Sequence, residues 1–512
     1  MGILKKLASQ TAIYGLSSIF GRFLNYLLVP LYTYHFSAEE YGVVSEFYAY
    51  AGFFSVLLLC GFETGYFRFR DKENPQRDLA YSTALIFVVA LNLLFLLSIG
   101  LLNSVLSSAL HYPQHPEYLL FFTVILSLDA ISAVPFARLR AEHNAFRFAG
   151  IKLIEILVTV SLSLFFIAYC PTLYQQQPQS PLLYFYQPTI GLGYVFIANM
   201  SASVVKFLLL SPQLRGIAWG FEREVFIRLW RYSAPMAIVG FAGIINEMLD
   251  RSLLKYLLPY NEQTNMQLLG IYSACYKLSI LMSLFIQAFR YAAEPFFFSY
   301  ADKSDARQVY AAVLKYFVIF CVAIFLIVTL YLDFFKYFVG TEFRAGLNAV
   351  PILLLANLCL GVYVNLSIWY KLTDKTLIGA YISIAGALLT ILLNVWWIPL
   401  FGYIGSAWAT LVCYGTMALV SYGLGQYFYP VAYEIKKIAL YILLGISLYG
   451  IKIGCVDYVS QPAGLLASEL FLLYLLTTAL LERQSWRKHF NIRGYSLSAC
   501  FKISQYQQKF RK

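Results

Sequence analysis

The chain has 512 residues, 60% of them hydrophobic and 12% charged, with a formal net charge of +12. Soluble domains carry about 25% charged residues, so this composition excludes an ordinary soluble enzyme and makes the bilayer the solvent. The positive excess gathers in short loops and in residues 483–512, which reads as membrane topology and attraction to anionic headgroups, not as a nucleic-acid surface.

Stretches of roughly twenty apolar residues, long enough to cross the hydrocarbon core, recur along the chain. Met1-Gly-Ile-Leu-Lys5-Lys6 leads into one that is too long for a signal-peptide core and lacks a small-residue cleavage site, so a retained first helix is expected. Six spans are predicted at 10–34, 41–66, 79–102, 117–136, 149–170 and 190–210. Six more follow at 231–257, 269–292, 309–333, 348–370, 377–399 and 404–428, and two at 437–456 and 462–481. The expected fold class is an all-α integral membrane protein of about fourteen transmembrane helices. Its organisation would be a first lobe over 1–211, a second over 212–429, accessory spans over 430–482 and a basic tail over 483–512.

Counting from Lys5 and Lys6, every second gap is basic. Arg68, Arg70, Lys72 and Arg77 are followed by Arg138, Arg140, Arg147 and Lys152, and then by Arg215, Arg223, Arg228 and Arg231. Arg290, Lys303 and Arg307 come next, then Lys371 and Lys375, then Lys436 and Lys437, and finally the tail. The alternate gaps hold only Lys336, Arg344 and Lys452. Under the positive-inside rule both termini are expected in the cytoplasm of a bacterial inner (plasma) membrane.

No gap is long enough for a soluble domain, which argues against membrane polymerases and ligases that need an external catalytic domain. The longest external gap, 171–189, has Pro171, Pro178, Pro181 and Pro188 and reads as an ordered loop or short hairpin cap. Eight scattered cysteines support neither a disulfide framework nor a metal site. No catalytic residues, metal ligands, nucleotide-binding loop or cofactor motif are expected.

A local echo links the two sets of six. Tyr41-Gly-Val-Val-Ser-Glu-Phe-Tyr48 opens span two and Leu269-Gly-Ile-Tyr-Ser-Ala-Cys-Tyr276 opens span eight, with Gly, Ser and Tyr in register. Phe401-Gly-Tyr-Ile-Gly-Ser-Ala407 opens span twelve. Each places a Gly where an outside turn re-enters the membrane, with small residues that permit close helix approach. The echo suggests duplicated lobes. Together with Ala8-Ser-Gln-Thr-Ala-Ile-Tyr-Gly-Leu-Ser-Ser-Ile-Phe-Gly-Arg22, Leu249-Asp-Arg-Ser252 and Ile398-Pro-Leu-Phe-Gly-Tyr-Ile-Gly-Ser-Ala-Trp-Ala-Thr410, it resembles the polysaccharide-transporter branch of the multidrug/oligosaccharidyl-lipid/polysaccharide exporter superfamily, which includes Wzx-type O-antigen flippases. The resemblance implies two six-helix lobes around a central cavity plus two C-terminal helices. It implies movement of an undecaprenyl-diphosphate-linked oligosaccharide between leaflets, with membrane lipids, a polysaccharide polymerase and glycosyltransferases as partners.

Ionisable groups inside spans cost roughly 2.5–3.5 kcal/mol each near the bilayer centre and need a reason. Arg22 shares a polar stripe with Ser18, Asn25 and Tyr26. It is expected either to grip a diphosphate from a wet cavity or to bind carbonyls of a neighbouring helix. In span seven Glu247 and Arg251, four apart, read as a helix-internal ion pair, leaving Asp250 or Glu247 as a spare carboxylate for a proton or sodium ion. Span eight carries Lys277 with Ser273, then Ser283, Gln287, Arg290 and Glu294. Arg290 and Glu294 read first as an inner-gate or interfacial salt bridge. Asp129, near mid-span and flanked by Ser127 and Ser132, is the carboxylate best placed for coupling or for neutralising a cavity cation. Lys206, Lys255 and Lys315 are expected to snorkel to a surface. Spans thirteen and fourteen, almost without internal charge, are expected outside the transport path. The substrate-binding candidates are thus Arg22, Asn25, Arg251, Lys277 and Arg290, and the ion-coupling candidates Asp129, Glu247, Asp250 and Glu294. A cation-coupled multidrug exporter is the competing transporter; lipid II flipping would differ only in cargo.

Overall fold

The computed structural model describes residues 20–70, 78–215, 219–455 and 463–492. Lys5, Lys6, Ser18, Lys72, Arg77, the start of the first span and residues 493–512 of the basic tail lie outside them. All regular elements among the described residues are helical. Among the described residues eleven helices are long and apolar enough to cross a membrane, or twelve if the bent pair Glu262–Leu278 and Ile280–Tyr300 is one span. Thr376–Phe428 runs for 53 residues but breaks at Gly402, where φ is 62°. At 1.5 Å per residue a helix that long spans about 80 Å, far beyond the roughly 30 Å of one crossing. The glycine, which takes φ > 0 without a Cβ clash, therefore divides the two predicted spans 377–399 and 404–428. The protein is a multi-pass membrane protein.

Local sequence explains the helix boundaries. Ala38–Leu59 starts with a capping box: the Glu40 backbone N–H donates to Ser37 Oγ and the Ser37 N–H donates to Glu40 Oε2 at 2.8 Å. It ends at Cys60 and Gly61, both left-handed, and resumes as Phe62–Phe69. Ser279 makes the 47° bend of span eight, because its hydroxyl donates to the Tyr276 carbonyl at 2.7 Å and competes with the helical ladder. The bend leaves Lys277 in the last turn of its helix, where the dipole favours a cation. A π-helical turn, Leu164–Tyr169, precedes Pro171, which has no N–H to continue the ladder. The loop beyond it is ordered by short 3₁₀ turns, and the Gln187 N–H donates to the Tyr194 hydroxyl at 2.6 Å.

Two of the three echoed glycines serve close approach within helices, and only Gly402 turns the chain. Gly42 and Gly270 face each other where Ala38–Leu59 crosses Glu262–Leu278. A Cβ on Gly42 would run into the Met266 carbonyl, and one on Gly270 into the Ala38 carbonyl. The motif pair that suggested duplication is therefore also a backbone-to-backbone contact.

The chain packs as two units. The first is Met1–Tyr310 with Asp333–Ala432, and the second is Ala311–Leu332 with Tyr433–Lys512. In the second, the span placed ninth packs with the last two: the Tyr474 hydroxyl donates to the Ile319 carbonyl at 2.8 Å, and Gly445 lies against Val322. Charge fixes this grouping. Lys315 does not snorkel; it is buried and meets Glu434 at 2.7 Å and Glu482 at 2.8 Å. Lys452, expected in an external gap, is also buried and donates to the Thr329 carbonyl at 3.4 Å. With Glu482 fully buried as well, the last spans carry more internal charge than the sequence reading allowed.

Candidate functional site

The first unit contains a cavity of about 420 Å³, and a second of about 280 Å³ adjoins it, sharing Met248, Arg251 and Lys277 in its wall. Arg22, Arg251, Lys277 and Arg290 line the larger one, with Glu247 as its carboxylate. Asn25 lines the smaller. The five residues proposed for substrate, far apart in sequence, therefore line two adjoining cavities. The polar stripe of span one divides: Arg22 and Asn25 face the cavities, while Tyr26 is buried and stacks on Phe338 with centroids 4.2 Å apart.

Arg251 is buried and held from several sides. Its Nη1 donates to the Glu247 backbone carbonyl at 3.0 Å and lies 3.9 Å from Asp250 Oδ1, while its guanidinium carbon sits 4.3 Å above the Tyr276 ring. Asp250 also accepts a 2.7 Å hydrogen bond from Tyr272. The expected Glu247–Arg251 ion pair is thus corrected. The guanidinium reaches back to the helix carbonyl of Glu247, its nearest carboxylate is Asp250, and the Glu247 side chain is left on the cavity wall. The expected Arg290–Glu294 bridge is corrected too: Glu294 pairs with Lys371 at 2.6 Å, and Arg290 lines the cavity. Among the described residues Arg22, Lys277 and Arg290 form no salt bridge. Ser283, Gln287 and Asn357 continue the wall, and Gln287 Oε1 is buried without a hydrogen-bond partner among the described residues.

Two further intramembrane cations of the first unit, Lys206 and Lys255, are neutralised by carboxylates. Lys206 does not snorkel; its Nζ bridges Asp129 and Glu155, the latter at 2.6 Å, and Glu155 also meets Lys152 at 3.0 Å. Asp129 further accepts a 2.6 Å hydrogen bond from Ser203, so the expected coupling carboxylate is one arm of an ion cluster joining three helices. Lys255 is buried and paired with Glu46, a residue absent from the sequence-derived candidates. Its signal was present, since a lone carboxylate inside an apolar helix needs a cation.

The family model described as "Polysaccharide biosynthesis protein" matches residues 7–301, more than half of the chain. The chain belongs to this family. No curated protein matches it by sequence. Among solved structures, a lipid II flippase, MurJ, in an inward closed conformation aligns with a TM-score of 0.71 at 14% identity, covering 92% of this chain and 99% of that one. A multidrug-resistance MATE transporter in an inward-facing conformation aligns with a TM-score of 0.62 at 13% identity, over 82% and 97% of the two chains. An outward-facing MATE structure gives 0.56 at 13% identity, over 82% and 95%. Identities this low show the fold alone, which the chain shares with these MurJ and MATE structures. This member of the polysaccharide biosynthesis family thus carries its cavity cations on that shared scaffold.

Proposed function

We propose that this protein is a flippase that moves undecaprenyl-diphosphate-linked oligosaccharide units from the cytoplasmic to the outer leaflet of a bacterial inner membrane, for O-antigen, capsule or exopolysaccharide biosynthesis. The supporting observation is the contrast in pairing. Lys152, Lys206, Lys255, Lys315 and Lys371 each meet a carboxylate, whereas Arg22, Lys277 and Arg290 line the cavity without a salt bridge among the described residues. Unpaired cations at membrane depth are costly unless water or a polyanion serves them, and a diphosphate supplies charge and acceptor oxygens together. Arg251, pre-oriented by Asp250 and Tyr276, adds a planar fork suited to phosphate oxygens. A cationic cavity argues against a cationic-drug exporter.

Transport would proceed by alternating access, with residues 1–211 rocking against 212–429 and both termini in the cytoplasm. Glycosyltransferases and a polymerase would supply and consume the cargo. Of the carboxylates considered for coupling, Asp129, Asp250 and Glu294 are held by Lys206, Arg251 and Lys371, so coupling to a proton or sodium ion rests on Glu247. The experiment is leaflet transfer of undecaprenyl-diphosphate oligosaccharide in vesicles containing the purified protein, with Arg22→Ala and Lys277→Ala as variants. Absence of transfer by the wild type, or full activity in both variants, would sink the proposal.

A further inference from the structure

The smaller cavity has a chemistry of its own. Apart from Arg251 and Lys277 on the edge it shares with the larger one, its described lining is uncharged, and it includes Asn25, Tyr41, Tyr48, Thr159, Asn199 and Ser273. Several of these groups have capacity to spare. Asn199 Nδ2 donates to the Tyr48 hydroxyl at 3.2 Å and to the Val195 carbonyl at 2.7 Å, leaving Asn199 Oδ1 and the Tyr48 hydroxyl proton without a partner among the described residues. Ser273 is 2% exposed, and its hydroxyl has no hydrogen-bond partner among the described residues. Neutral donors and acceptors beside tyrosine rings match a sugar, whose hydroxyls both donate and accept and whose C–H face packs on an aromatic ring. They do not match a diphosphate, which needs cations.

Resting on the flippase reading above, we infer that this pocket is the subsite for the sugar bonded directly to the diphosphate, and that Tyr48 and Asn199 determine which sugar is accepted. Adjacency supports it: the pocket meets the cationic cavity at Arg251 and Lys277, where a diphosphate-linked sugar must be joined to its phosphate. Its volume of about 280 Å³ is at the small end of the roughly 300–1,000 Å³ typical of ligand clefts, enough for a sugar ring or two and not for a whole repeat unit.

The test is binding to the full-length protein in nanodiscs. The probes are bare undecaprenyl diphosphate and the same lipid carrying glucose, galactose or N-acetylglucosamine. At least one glycosylated lipid should bind about tenfold tighter than the bare lipid, the ratio expected from one or two added hydrogen bonds. Tyr48→Phe, which keeps the ring, and Asn199→Ala should each lower that ratio toward one, with bare-lipid binding reporting that the variants are folded. Equal binding of bare and glycosylated lipids, or a ratio that survives both substitutions, overturns the subsite and leaves the flippase reading standing. Failure of the wild type to bind even the bare lipid overturns both.

Discussion

Lys255 and Glu46, 209 residues apart, form an ion pair in which the ammonium lies 3.0 and 3.1 Å from the two carboxylate oxygens. Both side chains are almost wholly buried. The third ammonium hydrogen goes to the Leu110 carbonyl at 2.8 Å, and the hydroxyls of Tyr50 and Tyr112 donate to the Glu46 carboxylate. Under the orientation expected from the basic-residue pattern, the pair would lie toward the outer surface and act as a latch between Ala38–Leu59 and Arg223–Leu257. Removing one partner of a buried ion pair costs about 3–5 kcal/mol, whereas replacing both by apolar groups is often nearly neutral. Lys255→Met is expected to lower the unfolding temperature in detergent, and Glu46→Leu with Lys255→Met to recover much of it. In cells, a cysteine at buried Met266 should become reactive to an impermeant external maleimide in Lys255→Met.

The Gly42–Gly270 contact leads to a second prediction on the same side of the membrane. A methyl at Gly270 meets backbone, which cannot rotate away as a side chain can. Gly270→Ala should separate the two helices and expose the Met266 probe site as the latch variant does. Combined with Lys255→Met the effects should be less than additive, because both loosen one contact surface. Full additivity would mean that the crossing and the latch are independent.

The spans were legible because twenty-residue apolar stretches are local properties of the chain. The cavity cations were legible for a related reason: an Arg or Lys deep in an apolar helix is anomalous wherever it sits. Their pairing was not. Lys206 meets Asp129 from 77 residues away, and Lys315 meets Glu434 from 119, so no window of sequence connects them. Within one helix, spacing also misled. Glu247 and Arg251 are well spaced for a pair, yet the guanidinium folds back to a carbonyl and stacks on Tyr276. Similarly, Glu294 lies one turn from Arg290, but the bend at Ser279 and the packing beyond it bring Lys371 closer.

Arg251 and Lys277 both line the cavity, but they should tolerate substitution differently. The Arg251 guanidinium uses its flat face against Tyr276 and its edge toward Asp250, an arrangement a lysine cannot reproduce. Arg251→Lys should therefore reduce leaflet transfer about 10–100-fold, the range for losing one charge-assisted hydrogen bond. Lys277→Arg should keep measurable transfer. Equal losses in the two would show that only the charge matters.

Glu247 and Asp129 separate coupling from structure. Glu247→Gln removes the cavity carboxylate that has no salt bridge among the described residues, so transfer should continue but lose its dependence on an imposed proton or sodium gradient. Asp129→Asn removes one arm of the Lys206 cluster and should lower thermal stability while gradient dependence persists. Transfer in vesicles under imposed gradients checks both, and an exchange of these outcomes would move the coupling role to Asp129.

Glu434, just before the Ile435–Cys455 helix, sets a pH dependence for the second unit. Burial opposes its charge, but hydrogen bonds from Lys315 and Lys437 prevail and hold the carboxyl below its ordinary value of 4.5. A carboxyl depressed by folding contributes stability above its unfolded pKa, and that contribution is lost as pH falls through the folded value. Relative to Glu434→Gln, the wild type should therefore unfold at higher temperature near neutral pH, and the gap should close as pH drops below 4.5. The gap should be modest, because 38% of the side chain is exposed and solvent screens the pair. Thermal unfolding in detergent across this range measures it. No gap near neutral pH would mean that the Lys315 bridge to Glu482, not Glu434, holds these helices together.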